Sequence, residues 1–167
     1  MNENILSKAY NTVCFDREIV FKFFITFSLF EYALKKAGFR RTPRKEDVEV
    51  DWTKFSQTIN DTFVRMLSSQ PDSELNKAVQ FILDNPPGKQ VYKQQDLQFE
   101  RRKRPDNISD TEWLSILIRG IRNNLFHGAK FRYDSHRDSP LMEAALIILE
   151  AWACCNEEVR QNLIDVC

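Results

Sequence analysis

The stretch "DREIVFKFFITFSLFEYALKKAG", residues 16 to 38, decides the fold class. Wound as a helix, it carries apolar side chains on nearly every side, the mark of a central, buried element. Gly38 ends it, with Lys35 and Lys36 in the last turn, where cations meet the negative end of the helix dipole. Upstream, "MNENILSKAYNTV" lacks the basic-then-apolar order of a signal peptide. Downstream, "RRTPRKEDVEV" reads as a charged loop, after which Asp51 reads as an N-cap. Trp52, Phe55, Ile59, Phe63 and Met66 then recur at helical spacing.

A shorter helix is predicted from Asp72 to Asp84, with Leu75, Ala78, Val79, Ile82 and Leu83 on one face and "NPPG" as its stop. Residues 85 to 108 have no helical period, and the 86–104 connection contains a candidate hairpin around "KQVYKQQDLQFER". Ser109 and Glu112 stand in capping-box spacing ahead of a helix that Gly128 closes. Ser139 as N-cap and Pro140 at the first helical position predict a last helix through "LMEAALIILEAWACC", and Asn156 can cap a separate terminal turn. The expectation is an all-α, single-domain bundle of about five helices spanning residues 1–167.

Composition narrows the function classes. Lys plus Arg and Asp plus Glu are equal at 24 each, so any basic surface must be local. No apolar run approaches the ~18 to 20 residues that cross a bilayer. Cys14, Cys154, Cys155 and Cys167 have neither metal-ligand nor disulfide-framework spacing and read as reduced thiols of a cytoplasmic protein. His127 and His136, without ligand-spaced carboxylates or thiols, give no zinc signature, and no metal or other cofactor is expected. The chain contains no phosphate-binding glycine loop, nucleophile elbow or paired-carboxylate motif.

The chemistry concentrates in "IRGIRNNLFHGAKF", residues 118 to 131. Arg122 and His127 fall about 140° apart on an ideal helix. His127 precedes a glycine, where the helix unwinds and the imidazole can swing towards Arg122. Asn123, one turn earlier, shares the face of His127 and can hold the ring. Imidazole moves protons near neutrality and guanidinium stabilises charge on phosphate oxygens, the two parts of a metal-free phosphoryl transfer. The same residue types also cap helix carbonyls, and both readings stand on chemistry alone.

"RNNLFH" (Arg122 to His127) resembles the Arg-x4-His signature of the HEPN superfamily, and the Phe-rich early helix with Glu31 in it is similar in kind. The resemblance implies a four- to five-helix bundle that dimerises, with Arg and His from two protomers meeting in a cleft at the homodimer interface. It implies a metal-independent endoribonuclease of the toxin or phage-defence type, with RNA as substrate and, for toxins, an antitoxin protein as partner. Arg122 then stabilises the phosphate, His127 acts as acid or base for 2′-hydroxyl attack, and Asn123 orients His127. The alternative is a non-catalytic HEPN-like bundle that binds a nucleotide or a partner protein. In one subgroup a tyrosine two residues beyond the histidine is modified by a partner nucleotidyltransferase; here that position is Ala129.

Supporting candidates are Glu31, whose carboxylate needs a partner if buried, Asn124 and Arg119. Arg101, Arg102, Lys103 and Arg104 form the strongest basic run and are the candidate RNA contacts, with Arg40, Arg41, Arg44 and Lys45 as a second run. Tyr92, Phe99 and Tyr133 are candidate stacking residues.

Overall fold

The computed structural model describes residues 4–12, 16–42, 46–126 and 135–166. Their elements are α1 (Ile5–Thr12), α2 (Arg17–Lys36), β1 (Arg40–Arg41), β2 (Glu49–Val50), α3 (Trp52–Ser69), α4 (Glu74–Asp84), β3 (Lys89–Lys93), β4 (Asp96–Glu100), α5 (Asp110–Phe126), α6 (Ser135–Cys154) and α7 (Glu157–Ile164). The described chain is thus mostly helical, with seven helices rather than about five, and two small antiparallel sheets, β1–β2 and β3–β4. Among the described residues no helix is long and apolar enough to cross a membrane.

Local chemistry sets most boundaries. Asp16, Asp51, Ser73 and Asn156 each accept a hydrogen bond from a backbone N–H in the first turn of the helix they precede. At the other end of α2 the chain turns on Gly38, whose φ of +80° suits a residue without Cβ. The Phe39 amide donates to Leu34 O at 2.9 Å and the Gly38 amide to Lys35 O at 3.3 Å, closing the free carbonyls. The capping box is reciprocal: Glu112 N donates to Ser109 Oγ at 3.1 Å and Ser109 N to Glu112 Oε2 at 3.4 Å.

Three expectations change. The 72–84 helix starts at Glu74, because Ser73 takes the cap. The last long helix starts at Ser135, placing Pro140 inside it; proline's fixed φ is helical, and so near an N-terminus its missing N–H removes few bonds. Finally, α2 is a wall of the core, not its centre. It packs on α6 and α7 and buries Phe23, Phe27, Phe30, Ala33 and Leu34, with Phe27 and Phe30 meeting the rings of Trp52 and Phe55 in α3, while Phe21, Phe24, Ile25 and Tyr32 are exposed.

The core runs between α2, α3, α4, α5 and α6 and is dominated by rings. Phe55 of α3 meets Phe30, Phe39, Trp52 and Trp152 edge-on, with centroids 5.2 to 6.4 Å apart. α3 packs along α5 and α4 along α6. Thr111 Oγ1 donates to Asn60 Oδ1 at 2.9 Å, tying the start of α5 to the middle of α3.

Candidate functional site

The C-terminal half of α5 presents two faces. Arg119, Arg122 and Asn123, three and four residues apart, point one way and line a cleft of about 320 Å³. Its remaining walls come from α2 (Phe27, Glu31, Lys35), from the β1–β2 segment (Arg41, Val48, Glu49, Val50) and from Trp52 at the start of α3. Four cationic side chains and two carboxylates thus share one opening over an aromatic floor.

The arginines are held rather than loose. Arg122 lies with its guanidinium carbon 5.8 Å from the centroid of Phe27 and donates from Nη1 to Asn123 Oδ1 at 3.1 Å. Arg119 sits over Trp52, also at 5.8 Å, and is half-buried rather than a solvated surface residue. Burial lowers the Arg119 pKa from its ordinary value, Arg41 and Arg122 push the same way, and Glu31 and Glu49 oppose. Arginine keeps its proton regardless, so Arg119 stays a cation in a partly buried setting that it shares with charges of both signs.

Glu31, proposed from sequence to pair with Arg122 or His127, lies in the same cleft as Arg122, but the arginine whose charge it offsets is Arg119. It forms no salt bridge with a described residue, and its charge opposes the lowering of the Arg119 pKa. Arg41 is bound to Glu49 at 3.1 Å, and Arg40 donates to Lys35 O at 3.0 Å. The second basic run thereby supplies one cleft wall through Arg41. His127, with Gly128 and Ala129, lies outside the described residues, as do Arg44, Lys45, Tyr133 and the side chain of His136; the described part of α5 ends at Phe126.

Two sequence assignments are revised. Asn124, expected beside the motif, is buried on the other face of α5, where Nδ2 donates to Gly88 O at 2.9 Å and anchors the base of the hairpin. One residue along a helix turns a side chain by about 100°, which separates Asn124 from Asn123. The basic run 101–104 also divides. Arg101 and Lys103 are exposed, whereas Arg104 is bound to Asp110 at 2.6 Å and donates to Ile108 O at 2.8 Å, which occupies it at the start of α5. Arg102 folds back against Gly120. Tyr92 and Phe99 are both exposed on the hairpin, as stacking would need.

Sequence reasoning missed Phe27, Lys35, Glu49 and Trp52 as parts of the site. The only available signal was Lys35 standing one turn after Glu31 on the same helix face. Comparison with protein-family models, with curated proteins and with solved structures finds no match for this chain.

Proposed function

We propose that the chain is a metal-independent endoribonuclease of the HEPN type, working as a homodimer in defence or as a toxin. The observation that supports this is the convergence of Arg119, Arg122, Asn123 and Glu31, from two helices, in one cationic cleft at the end of α5. A positively charged, ring-floored cleft of about 320 Å³ suits one phosphodiester and its neighbouring nucleoside. In this reading Arg122 binds the non-bridging phosphate oxygens, and its stacking on Phe27 and its bond to Asn123 fix it before substrate arrives.

His127 follows α5 directly. As base it takes the proton of the ribose 2′-hydroxyl; the 2′-oxygen attacks phosphorus, and the 5′-oxygen leaves with a proton from the conjugate acid. The products are a 2′,3′-cyclic phosphate and a 5′-hydroxyl end. Proton transfer of this kind contributes ~10² to 10⁴-fold in rate.

The test is incubation of purified protein with RNA in EDTA beside Arg122→Ala and His127→Ala. Cleavage by the wild type alone, leaving cyclic-phosphate ends, is expected; intact RNA, or equal cleavage by all three, overturns the reading. Mixing the two inactive variants checks the composite site, because a mixed dimer carries one intact Arg–His pair across its interface and regains activity.

A second reading is favoured by the chain's zero net charge and by the single-nucleotide size of the cleft: a non-catalytic bundle that binds a nucleotide. It predicts that His127→Ala lowers the melting temperature with no RNase activity to lose.

A further inference from the structure

The β3–β4 hairpin turns its apolar side chains to solvent. Its register opposes Tyr92 to Leu97 and Gln90 to Phe99, on neighbouring rungs of one ladder. Opposed residues, and residues two apart along a strand, share a face. Tyr92, Leu97 and Phe99 therefore stand on one side of the ribbon with the Gln90 amide, and they are 70, 58 and 46% exposed. The other side satisfies its own charge, with Lys93 bound to Glu100 across the strands. A two-stranded ribbon ordinarily has its apolar face covered, so three large apolar side chains left in water on one face call for an occupant.

The ribbon is seated firmly enough to act as a platform. Asn124 Nδ2 donates to Gly88 O at 2.9 Å, which fixes the base of the hairpin to α5 one residue beyond Asn123 of the cleft. Gly88 leaves the space that Phe99 fills, since a Cβ there would stand 3.3 Å from both Cβ and Cδ1 of Phe99. Phe99 is thus held at the base of the hairpin and Tyr92 stands one rung further out, a diagonal pair ~7 to 8 Å apart.

Charge chooses the occupant. Residues 89–103 hold five cationic and two acidic side chains, in a chain whose totals cancel. Arg101 and Lys103, just after β4, are exposed and bound to no carboxylate among the described residues. A second copy of this face would set like charges against each other, and an apolar protein surface would leave the two cations unmatched. A single strand matches every part: its bases stack on rings, its phosphates meet Arg101 and Lys103, and a base edge can pair with the Gln90 amide.

We propose that the outer face of the β3–β4 hairpin is a base-stacking platform for single-stranded RNA, with Tyr92 and Phe99 each taking one base and Arg101 and Lys103 the phosphates beside them. This rests on reading RNA as the ligand, but it requires no cleavage.

The experiment uses the full chain and an uncleavable 2′-O-methyl single strand, beside an abasic strand of the same length. Wild-type protein should bind the base-bearing strand more tightly. Tyr92→Ala and Phe99→Ala should each weaken that binding about fivefold or more and leave the abasic strand unaffected. Tyr92→Leu, which keeps the apolar contact without the ring, should lose as much as Tyr92→Ala, whereas Tyr92→Phe should retain the affinity. Because Tyr92 is the most exposed of the three, its variants should melt with the wild type, which guards against misfolding at Phe99. Replacing Arg101 and Lys103 together with Gln should weaken both strands alike.

Equal binding of the two strands by the wild type, or full affinity in Tyr92→Leu, overturns the platform; weakened binding by Arg122→Gln would then leave the cleft reading standing. Self-association that Tyr92→Ala abolishes, with RNA affinity unchanged, gives the face to a second copy and also overturns it. Failure of the wild type to bind either strand overturns both readings. The expected losses in a protein without RNase activity overturn catalysis and leave the platform.

Discussion

Phe55 is fully buried and its ring meets rings of α2, α3 and α6. Truncating such a ring removes its burial and leaves a cavity that edge-on neighbours cannot fill, so Phe55→Ala should cost about 3 to 5 kcal/mol in urea unfolding. Against a typical total of 5 to 15 kcal/mol that is a large share, and because Trp52 is one of its partners the loss should also loosen the cleft floor. Phe55 was legible from helical spacing alone, and Arg119 stood out one turn before the motif. Trp52 did not show as part of the site: a tryptophan beside an N-cap reads as core. Only the packing of α3 on α5 shows that Trp52 is the floor under Arg119. A second residue-scale expectation concerns Cys155. Burial, with Cys154 beside it a lesser cause, pushes its thiol up to about 11. The unfolded thiol ionises first, so this contribution to stability is complete below the ordinary cysteine range and falls as pH rises towards about 11. At pH near 8 the half-buried Cys155 should alkylate much more slowly than the exposed Cys154, as fragment-ion mapping of the modified peptide would show; equal rates would mean that α6 frays at its end.

At the scale of elements, turn and cap chemistry decides how much the sequence discloses. The capping box of Ser109 and Glu112 was readable because its two residues stand at a fixed offset, and Ser109→Ala should cost about 1 kcal/mol in thermal or urea unfolding. The hairpin was readable from its polar turn between apolar residues, yet its turn is made in an unfavourable way. Gln94 and Gln95 adopt φ of +52° and +64°, the pair of left-handed conformations that a two-residue hairpin turn favours and that side chains with a Cβ resist. Replacing them with Asn-Gly should therefore raise the urea midpoint by an amount equivalent to about 1 kcal/mol, provided the hairpin unfolds with the body it is anchored to by Asn124. A lowered midpoint would show that the glutamine side chains stabilise the turn in some other way. By contrast β1 and β2, two residues each, are too short for alternation to register, and their pairing of Arg41 with Glu49 emerges only from the tertiary structure. The start of α6 was hidden for the opposite reason. Ser139 and Pro140 form a convincing helix start, but a helix that has already begun can carry a proline in its second turn at the loss of a backbone hydrogen bond.

Over the whole molecule, charge is balanced in sum and uneven in place. Equal numbers of cationic and acidic residues leave no general attraction for nucleic acid, while Lys35, Arg41, Arg119 and Arg122 gather at one opening, with Arg102 against the same helix. A helical body with one hydrophobic core was legible because periodicity acts over many residues. The cleft was legible at its motif and at single residues, Glu31 and Arg41, but not as one opening, because its walls come from segments distant in sequence. This distribution has a measurable consequence if RNA is the ligand. Each phosphate neutralised releases counterions, and for single strands log Kobs falls with log salt at roughly 0.7 per phosphate contact. Contacts confined to Arg119 and Arg122 therefore give a slope of about −1.4. Recruitment of the exposed Arg101 and Lys103 as well would steepen it to about −2.8. Titration of an uncleavable single-stranded RNA at several salt concentrations distinguishes the two, and Arg122→Gln should flatten the slope by less than one unit in the first case. A slope near zero would show that the cleft is not a phosphate site, because Arg119 and Arg122 cannot bind phosphates without displacing the strand's counterions.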